Sequence, residues 1–161
     1  MKKHIIFLFY GEGGHKAEME RLLLRLIDLI DDINYIGLVE GKNVIEKINN
    51  YSILPMRSKY NKLFALLILP SALLYNTMKV LVLILKYKPK GIISIGPGSV
   101  LFPAVLCKIF NKKIVYIETS SRFNTKSFTG KFMYYLANKF YVQNAELLNL
   151  YPNADYAGLL L

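Results

Sequence analysis

The sequence predicts a doubly wound α/β fold with a mainly parallel sheet, and three observations predict it. An apolar run at residues 4–10 leads into Gly11, Gly13 and Gly14 and then into a helix-like stretch. The same order of strand, glycine turn and helix returns at residues 91–110. Around these units, short apolar runs alternate with helical patterns, as parallel strands joined by helices require. With 161 residues, 53% of them hydrophobic and 13% aromatic, the chain is long and apolar enough to bury a core as one domain, residues 1–161.

The elements follow in order. Residues 5–10 are apolar almost without interruption, the pattern of a strand buried on both faces. A signal peptide also opens with lysines and an apolar run, but Gly11, Glu12, Gly13 and Gly14 interrupt this one, so it reads as the first strand of a cytoplasmic protein. Residues 15–30 carry Met19, Leu22, Leu23, Leu26, Ile27 and Ile30 on one stripe, with Glu18, Arg21, Arg25 and Asp28 largely off it. A second strand is expected at 33–39, a short helix at 42–49 and a third strand at 51–56. The unit at 91–110 divides into a strand at 91–95, the turn Gly96-Pro97-Gly98-Ser99 and a helix from about 99 to 110. Residues 113–117 form the next strand, 120–126 a polar loop and 128–139 a helix. A short strand at 140–143 and a short helix at 145–150 follow. Residues 154–161 read as a further strand or a docking tail.

Residues 63–85 stand apart. They are long enough to span a bilayer of about 30 Å hydrocarbon as a helix. Pro70 and Lys79 interrupt the apolar run, and basic residues flank it: Arg57, Lys59 and Lys62 before, Lys86, Lys88 and Lys90 after. That pattern suits a stretch lying at a membrane surface better than a span. A pair of core helices is the competing reading.

The net charge of +10 favours an anionic partner. Arginine is scarce, with only Arg21, Arg25, Arg57 and Arg122, which argues against nucleic acid and leaves a membrane or a phosphorylated ligand. The lone Cys107 excludes an internal disulfide, and its apolar surroundings predict a buried structural thiol.

Ligands of such sheets bind beyond the carboxyl ends of the strands. Residues 11–15, 96–99 and 118–122 all fall at such ends and are expected to converge on one crevice. A helix start offers unpaired N–H donors and a positive dipole end, which suit an anion, and glycines allow close approach. Gly13-Gly14-His15 is thus a candidate phosphate site with a titratable side chain beside it. It has neither the Gly-x-Gly-x-x-Gly spacing nor a P-loop lysine. Glu18 lies three residues after His15, either orienting it or serving the helix dipole. Gly96-Pro97-Gly98-Ser99 is either a second anion cradle, with Ser99 as N-cap, or a plain turn. Glu118 and Arg122 either pair with each other on the surface or face a ligand or partner. No nucleophile triad and no metal-ligand cluster is visible.

Several motifs in order carry a resemblance. They are Gly13-Gly14-His15 with Glu18, Ile95-Gly96-Pro97-Gly98, Val115-Tyr116-Ile117-Glu118-Thr119 through Arg122, Ser127-Phe128-Thr129-Gly130-Lys131, Phe140-Tyr141-Val142-Gln143, and Tyr151-Pro152-x-Ala154-x-Tyr156-x-Gly158. Over nearly its whole length the chain resembles the acceptor-side, membrane-recruiting subunit family of the two-part UDP-GlcNAc transferase of asparagine-linked glycosylation. It is similar also to that family's bacterial relatives in capsule and exopolysaccharide synthesis, the glycosyltransferase enhancer subunits.

The resemblance implies the N-terminal half of a split GT-B glycosyltransferase, active only as a complex. This chain would hold a polyprenyl-diphosphate-sugar acceptor at the cytoplasmic face of the inner membrane, as a peripheral or monotopic protein. A separate UDP-sugar-binding subunit would complete the crevice, with no nucleic acid, metal or other cofactor. His15 would be the catalytic base or a phosphate contact. Gly13, Gly14, Glu18, Gly96, Gly98 and Ser99 would bind the acceptor phosphates, and Glu118 and Arg122 would meet acceptor or partner. Leu63, Phe64, Leu67, Leu69, Leu73, Leu74, Leu81 and Leu83 would meet the membrane, in place of the N-terminal anchor of the eukaryotic members. Glu12 departs from the family, which has a small residue there, and Asn138 stands where aspartate is common. The alternative within this frame is a non-catalytic membrane scaffold that recruits and stabilises the catalytic subunit. A soluble nucleotide-binding protein is the third reading.

Overall fold

The computed structural model describes residues 4–55 and 62–160, with side chains described from residue 70 onward in the second stretch. Seven strands form one sheet: β1 (His4–Tyr10), β2 (Ile33–Glu40), β3 (Asn49–Ile53), β4 (Gly91–Ile95), β5 (Lys113–Ile117), β6 (Lys139–Val142) and β7 (Asp155–Tyr156). Their order is β3-β2-β1-β4-β5-β6-β7, and every neighbouring pair is parallel. The winding direction reverses between β1 and β4, which makes their carboxyl ends the switch point of the sheet.

Four helices cover it: α1 (Gly14–Leu29), α2 (Lys62–Tyr87), α3 (Leu101–Ile109) and α4 (Phe128–Leu136). Alternation along β1 shows how the core divides. Phe7 and Phe9 pack with Val80 and Ile84 of α2, Ala104 and Cys107 of α3 and Met133 of α4. Leu8 and Tyr10 point the other way, to Met19 and Leu23 of α1. Three helices thus lie on one face and α1 on the other. The Cys107 thiol is buried and its pKa is pushed up to about 12 by desolvation, with Lys112 opposing, as suits an inert core thiol.

Four expectations change. Residues 42–49 are not helical, because Asn50 holds them in a loop: its side-chain amide donates to the carbonyls of Ile45 and Ile48, at 2.8 and 2.7 Å. The third strand accordingly runs over Asn49–Ile53 rather than 51–56. The helix after β4 starts as a single 3-10 turn, Gly98–Val100, before α3. Residues 145–149 are likewise a 3-10 turn.

The 63–85 stretch is one continuous helix, α2, rather than a pair. Ala72, Asn76, Val80, Leu83 and Ile84 are its buried face, and Leu74, Tyr75, Met78, Val82 and Leu85 are exposed. Pro70 lies inside it, where it forgoes one main-chain hydrogen bond. Leu83, expected at the membrane, packs instead in the core, since its place in the turn points to the sheet. Leu74 faces outward, and Leu73 and Leu81 are half-buried. The side chains of Leu63, Phe64, Leu67 and Leu69 lie outside the described residues, as do Arg57 and Lys59. Among the described residues no helix is long and apolar enough to cross a membrane.

Candidate functional site at the switch point

Register places the site. Tyr10 of β1 pairs with Ile95 of β4, which pairs with Ile117 of β5. The residues that follow, Gly11, Gly96 and Glu118, therefore leave the sheet at one level. The loops after β1 and β4 meet at the switch point through one side chain. The His15 imidazole lies against Gly96, where a Cβ would overlap the ring. A Cβ at Gly11 would sit 3.4 Å from its Cδ2. Gly96 also has φ of 88°, a left-handed conformation that favours glycine. The two glycine turns read separately in the sequence thus form a single seat for His15.

His15 Nδ1 is buried and makes no hydrogen bond among the described residues. Burial pushes the imidazole pKa below its ordinary 6.5, and the nearby Glu18 charge only partly opposes this. The ring is therefore neutral at pH 7, able to accept a proton. Gly13, with φ of 64°, caps α1 without any side-chain hydrogen bond, and Gly13 and Gly14 are exposed. The first N–H groups of α1 open beside the imidazole.

Two buried carboxylates, Glu18 and Glu118, flank the start of the loop after β5. Glu18 is 4% exposed, and its Oε1 accepts from Ser120 N–H at 2.9 Å, Ser120 Oγ at 2.5 Å and Thr119 Oγ1 at 3.1 Å. Its Oε2 is buried and has no hydrogen-bond partner among the described residues. Glu18 therefore ties the first turn of α1 to the loop after β5. One oxygen of the carboxylate is thereby committed to that loop.

Glu118, expected to meet a ligand or partner, is fully buried within the chain. Its Oε2 accepts from Ser127 Oγ at 2.9 Å and from Tyr151 OH at 3.2 Å. Ser127 also caps α4, accepting from Gly130 N–H at 2.8 Å. A Cβ at Gly130 would overlap the Glu118 carboxylate, which explains a glycine in the first turn of a helix. Desolvation raises the Glu118 pKa, and the hydrogen bonds from Ser127 and Tyr151 lower it in part. Arg122 does not pair with Glu118: it is exposed and donates to Thr125 Oγ1 at 3.2 Å.

The turn after β4 is less open than its composition suggests. Ser99 is not an N-cap, and Pro97 holds that position. Ser99 is buried and its hydroxyl donates to the carboxylate of Glu40, at the end of β2. Gly98 has space beyond its backbone, with Thr129 Oγ1 3.6 Å from where a Cβ would sit. Glu12 also has a structural place: its Oε1 accepts from Lys42 N–H at 3.0 Å and its carboxylate packs over Gly41. It braces the β1 and β2 loops against each other. Sequence reading missed this brace, the Glu40–Ser99 bond and the Tyr151–Glu118 bond, because the partners lie tens of residues apart.

The model of the family described as "Oligosaccharide biosynthesis protein Alg14 like" matches residues 6–160. The chain belongs to this family. It is 29% identical over 189 residues to the UDP-N-acetylglucosamine transferase subunit ALG14 of Kluyveromyces lactis, covering 100% of this chain and 80% of that protein. The human subunit of the same name is 28% identical over 178 residues, covering 97% and 82%. Among solved structures, Acinetobacter baumannii MurG superposes with a TM-score of 0.65 at 14% identity, over 87% of this chain and 41% of MurG. UDP-N-acetylglucosamine 2-epimerase from Rickettsia bellii gives 0.66 at 12%, over 98% and 45%. The fold is thus the parallel-sheet, GT-B-like α/β fold, and the chain spans less than half the length of these solved structures.

Proposed function

We propose that this chain is one subunit of a split glycosyltransferase for surface polysaccharide synthesis. It holds a polyprenyl-diphosphate-sugar acceptor at the membrane and pairs with a separate UDP-sugar-binding catalytic subunit. The observation that carries this reading is the seat of His15: an imidazole held between two glycine turns, beside a helix start that no side chain caps, at the switch point of the sheet. An acceptor diphosphate suits the α1 N–H groups, and the acceptor hydroxyl then lies within reach of a base. Glu18 and Glu118 act as positioning residues that fix the loop after β5.

The pairing has support of its own. A parallel sheet needs both faces covered, and past α1 the second face keeps an apolar groove of about 270 Å³ between Leu22, Leu26, Ile93, Val115, Ile117 and Tyr141 and the chain's own segment at Ala157, Gly158 and Leu160. A second polypeptide with an apolar contact segment would cover it.

The test is reconstitution with the candidate partner subunit, using UDP-sugar and a short-chain polyprenyl-diphosphate-sugar. We expect turnover from the pair, and a fall of roughly 10²–10⁴-fold on His15→Ala if the imidazole is the base. Full activity of that variant removes His15 from the chemistry. If substitutions at His15, Gly13 and Gly14 all leave turnover intact, the chain is a recruiting scaffold instead.

A further inference from the structure

The charges are sorted by sheet face. From residue 47 to residue 145 the chain carries 15 of its 21 lysines and arginines and a single acid, Glu118. Glu118 is fully buried. That stretch supplies α2, α3 and α4, so the whole three-helix layer presents no exposed carboxylate of its own. The acids gather elsewhere: Glu20 and Asp28 on α1, with Asp31 and Asp32 just beyond it.

The same layer exposes apolar side chains at helical spacing. On α2 these are Leu74, Met78 and Val82. On α3, Phe102, Val105 and Ile109 repeat the pattern, with Ile109 71% exposed. On α4, Phe128, Phe132 and Tyr135 do so, at 70%, 49% and 79%. The Phe128 and Phe132 rings stack edge-on, 5.1 Å apart. Helix α3 contacts both α2 and α4, so the three stripes adjoin. An adjoining apolar surface of this kind marks an interaction site rather than scattered exposure. Apolar and aromatic residues interspersed with lysines, without acids, suit an anionic lipid surface.

We infer that the outer surface of the α2–α3–α4 layer is one continuous docking face for an anionic bilayer, with the α4 rings as much a part of it as α2. The inference rests on the membrane location proposed above and extends it to two further helices. It also fixes orientation. Helices α3 and α4 follow β4 and β5, so Phe102 and Phe128 lie at the crevice end of the layer. Phe123 and Arg122, on the loop after β5, stand at the same end and are exposed. Docking by this face sets the crevice mouth at the headgroups, where a lipid diphosphate lies. On and beyond α1 the acids stand among Lys16, Arg21 and Arg25, so that side is of mixed charge and lacks the acid-free basic character of the three-helix layer.

Sedimentation of the full chain with phosphatidylglycerol-containing or pure phosphatidylcholine vesicles tests this. We expect binding to the anionic vesicles to be roughly tenfold tighter, and to fall with added salt. Phe132→Ser with Tyr135→Ser on α4, and Ile109→Ser on α3, should each weaken it severalfold. Leu29→Ser on α1, equally exposed, should not. If the α3 and α4 variants bind like the parent while Met78→Ser with Val82→Ser does not, α2 docks alone and the inference fails, although the membrane location stands. Equal binding to both vesicle types, or variants that change oligomeric state instead of vesicle binding, also overturns it. Absence of all vesicle binding overturns it too, and turnover by the reconstituted pair on a short-chain acceptor then shows whether the function survives.

Discussion

His15 and Gly96 illustrate how much rests on single residues. Gly96→Ala puts a methyl group into the imidazole and a side chain at φ of 88°. The conformation alone costs about 1–2 kcal/mol. We expect a lower thermal midpoint together with a shifted His15 resonance; an unshifted one would show that the ring is not seated there. Because burial lowers the His15 pKa, turnover by the pair should hold down to pH 6.5 and fall only below it. Glu118 behaves in the opposite sense. Its raised pKa means the folded state holds a proton that the unfolded state releases as pH rises above the ordinary 4.5. Its contribution to stability is fully present below that value and declines as pH rises through the raised one. Glu118→Gln should flatten this part of a pH–stability profile. Glu118→Ala should cost about 1–3 kcal/mol by leaving the Ser127 and buried Tyr151 hydroxyls unpaired. A profile that keeps its slope in Glu118→Gln assigns the titration to another group.

Helix α2 shows the limit of reading elements from sequence. A long helical stretch is visible in its apolar run despite Pro70 and Lys79, but not which side faces the sheet, since leucines and valines occur all round it. The structure decides this with a polar residue. Asn76, 2% exposed, accepts from Leu54 N–H at 2.8 Å and donates to Leu54 C=O at 2.7 Å. Asn76→Leu keeps the size but orphans both main-chain groups of Leu54, at a cost of about 1–3 kcal/mol. Urea unfolding should show the loss, and hydrogen exchange should accelerate at Leu54; an unchanged Leu54 amide would mean the latch is not formed. The two glycine turns were legible for the opposite reason. Strand, glycine and helix are local patterns, and the order β1, turn, α1 needs no distant partner. Residues 42–49 were misread as helix because the force that bends them, the Asn50 amide, acts from outside the segment. Glu12 reads only as a departure from the family, and Ser99 and Glu118 read as ligand contacts because both stand at strand ends. Their engagement with Lys42, Glu40 and Tyr151 follows from the sheet order, which brings β1, β2, β4 and β5 to one edge.

At the scale of the molecule, an unequal sandwich and an unequal charge distribution point to one arrangement. Three helices with a basic, apolar exterior cover one face, a single helix with nearby acids covers part of the other, and the switch point lies at the edge between them. The family assignment and the seat of His15 fit the half-site proposed above, with a membrane on one side and a second polypeptide on the other. The measurement that tests this most directly is sugar transfer from UDP-sugar to a lipid-diphosphate acceptor, by the purified chain alone and by the chain with its partner subunit. The account predicts no turnover by the chain alone and turnover by the pair that is lost with His15→Ala. Robust turnover by the single chain would contradict it.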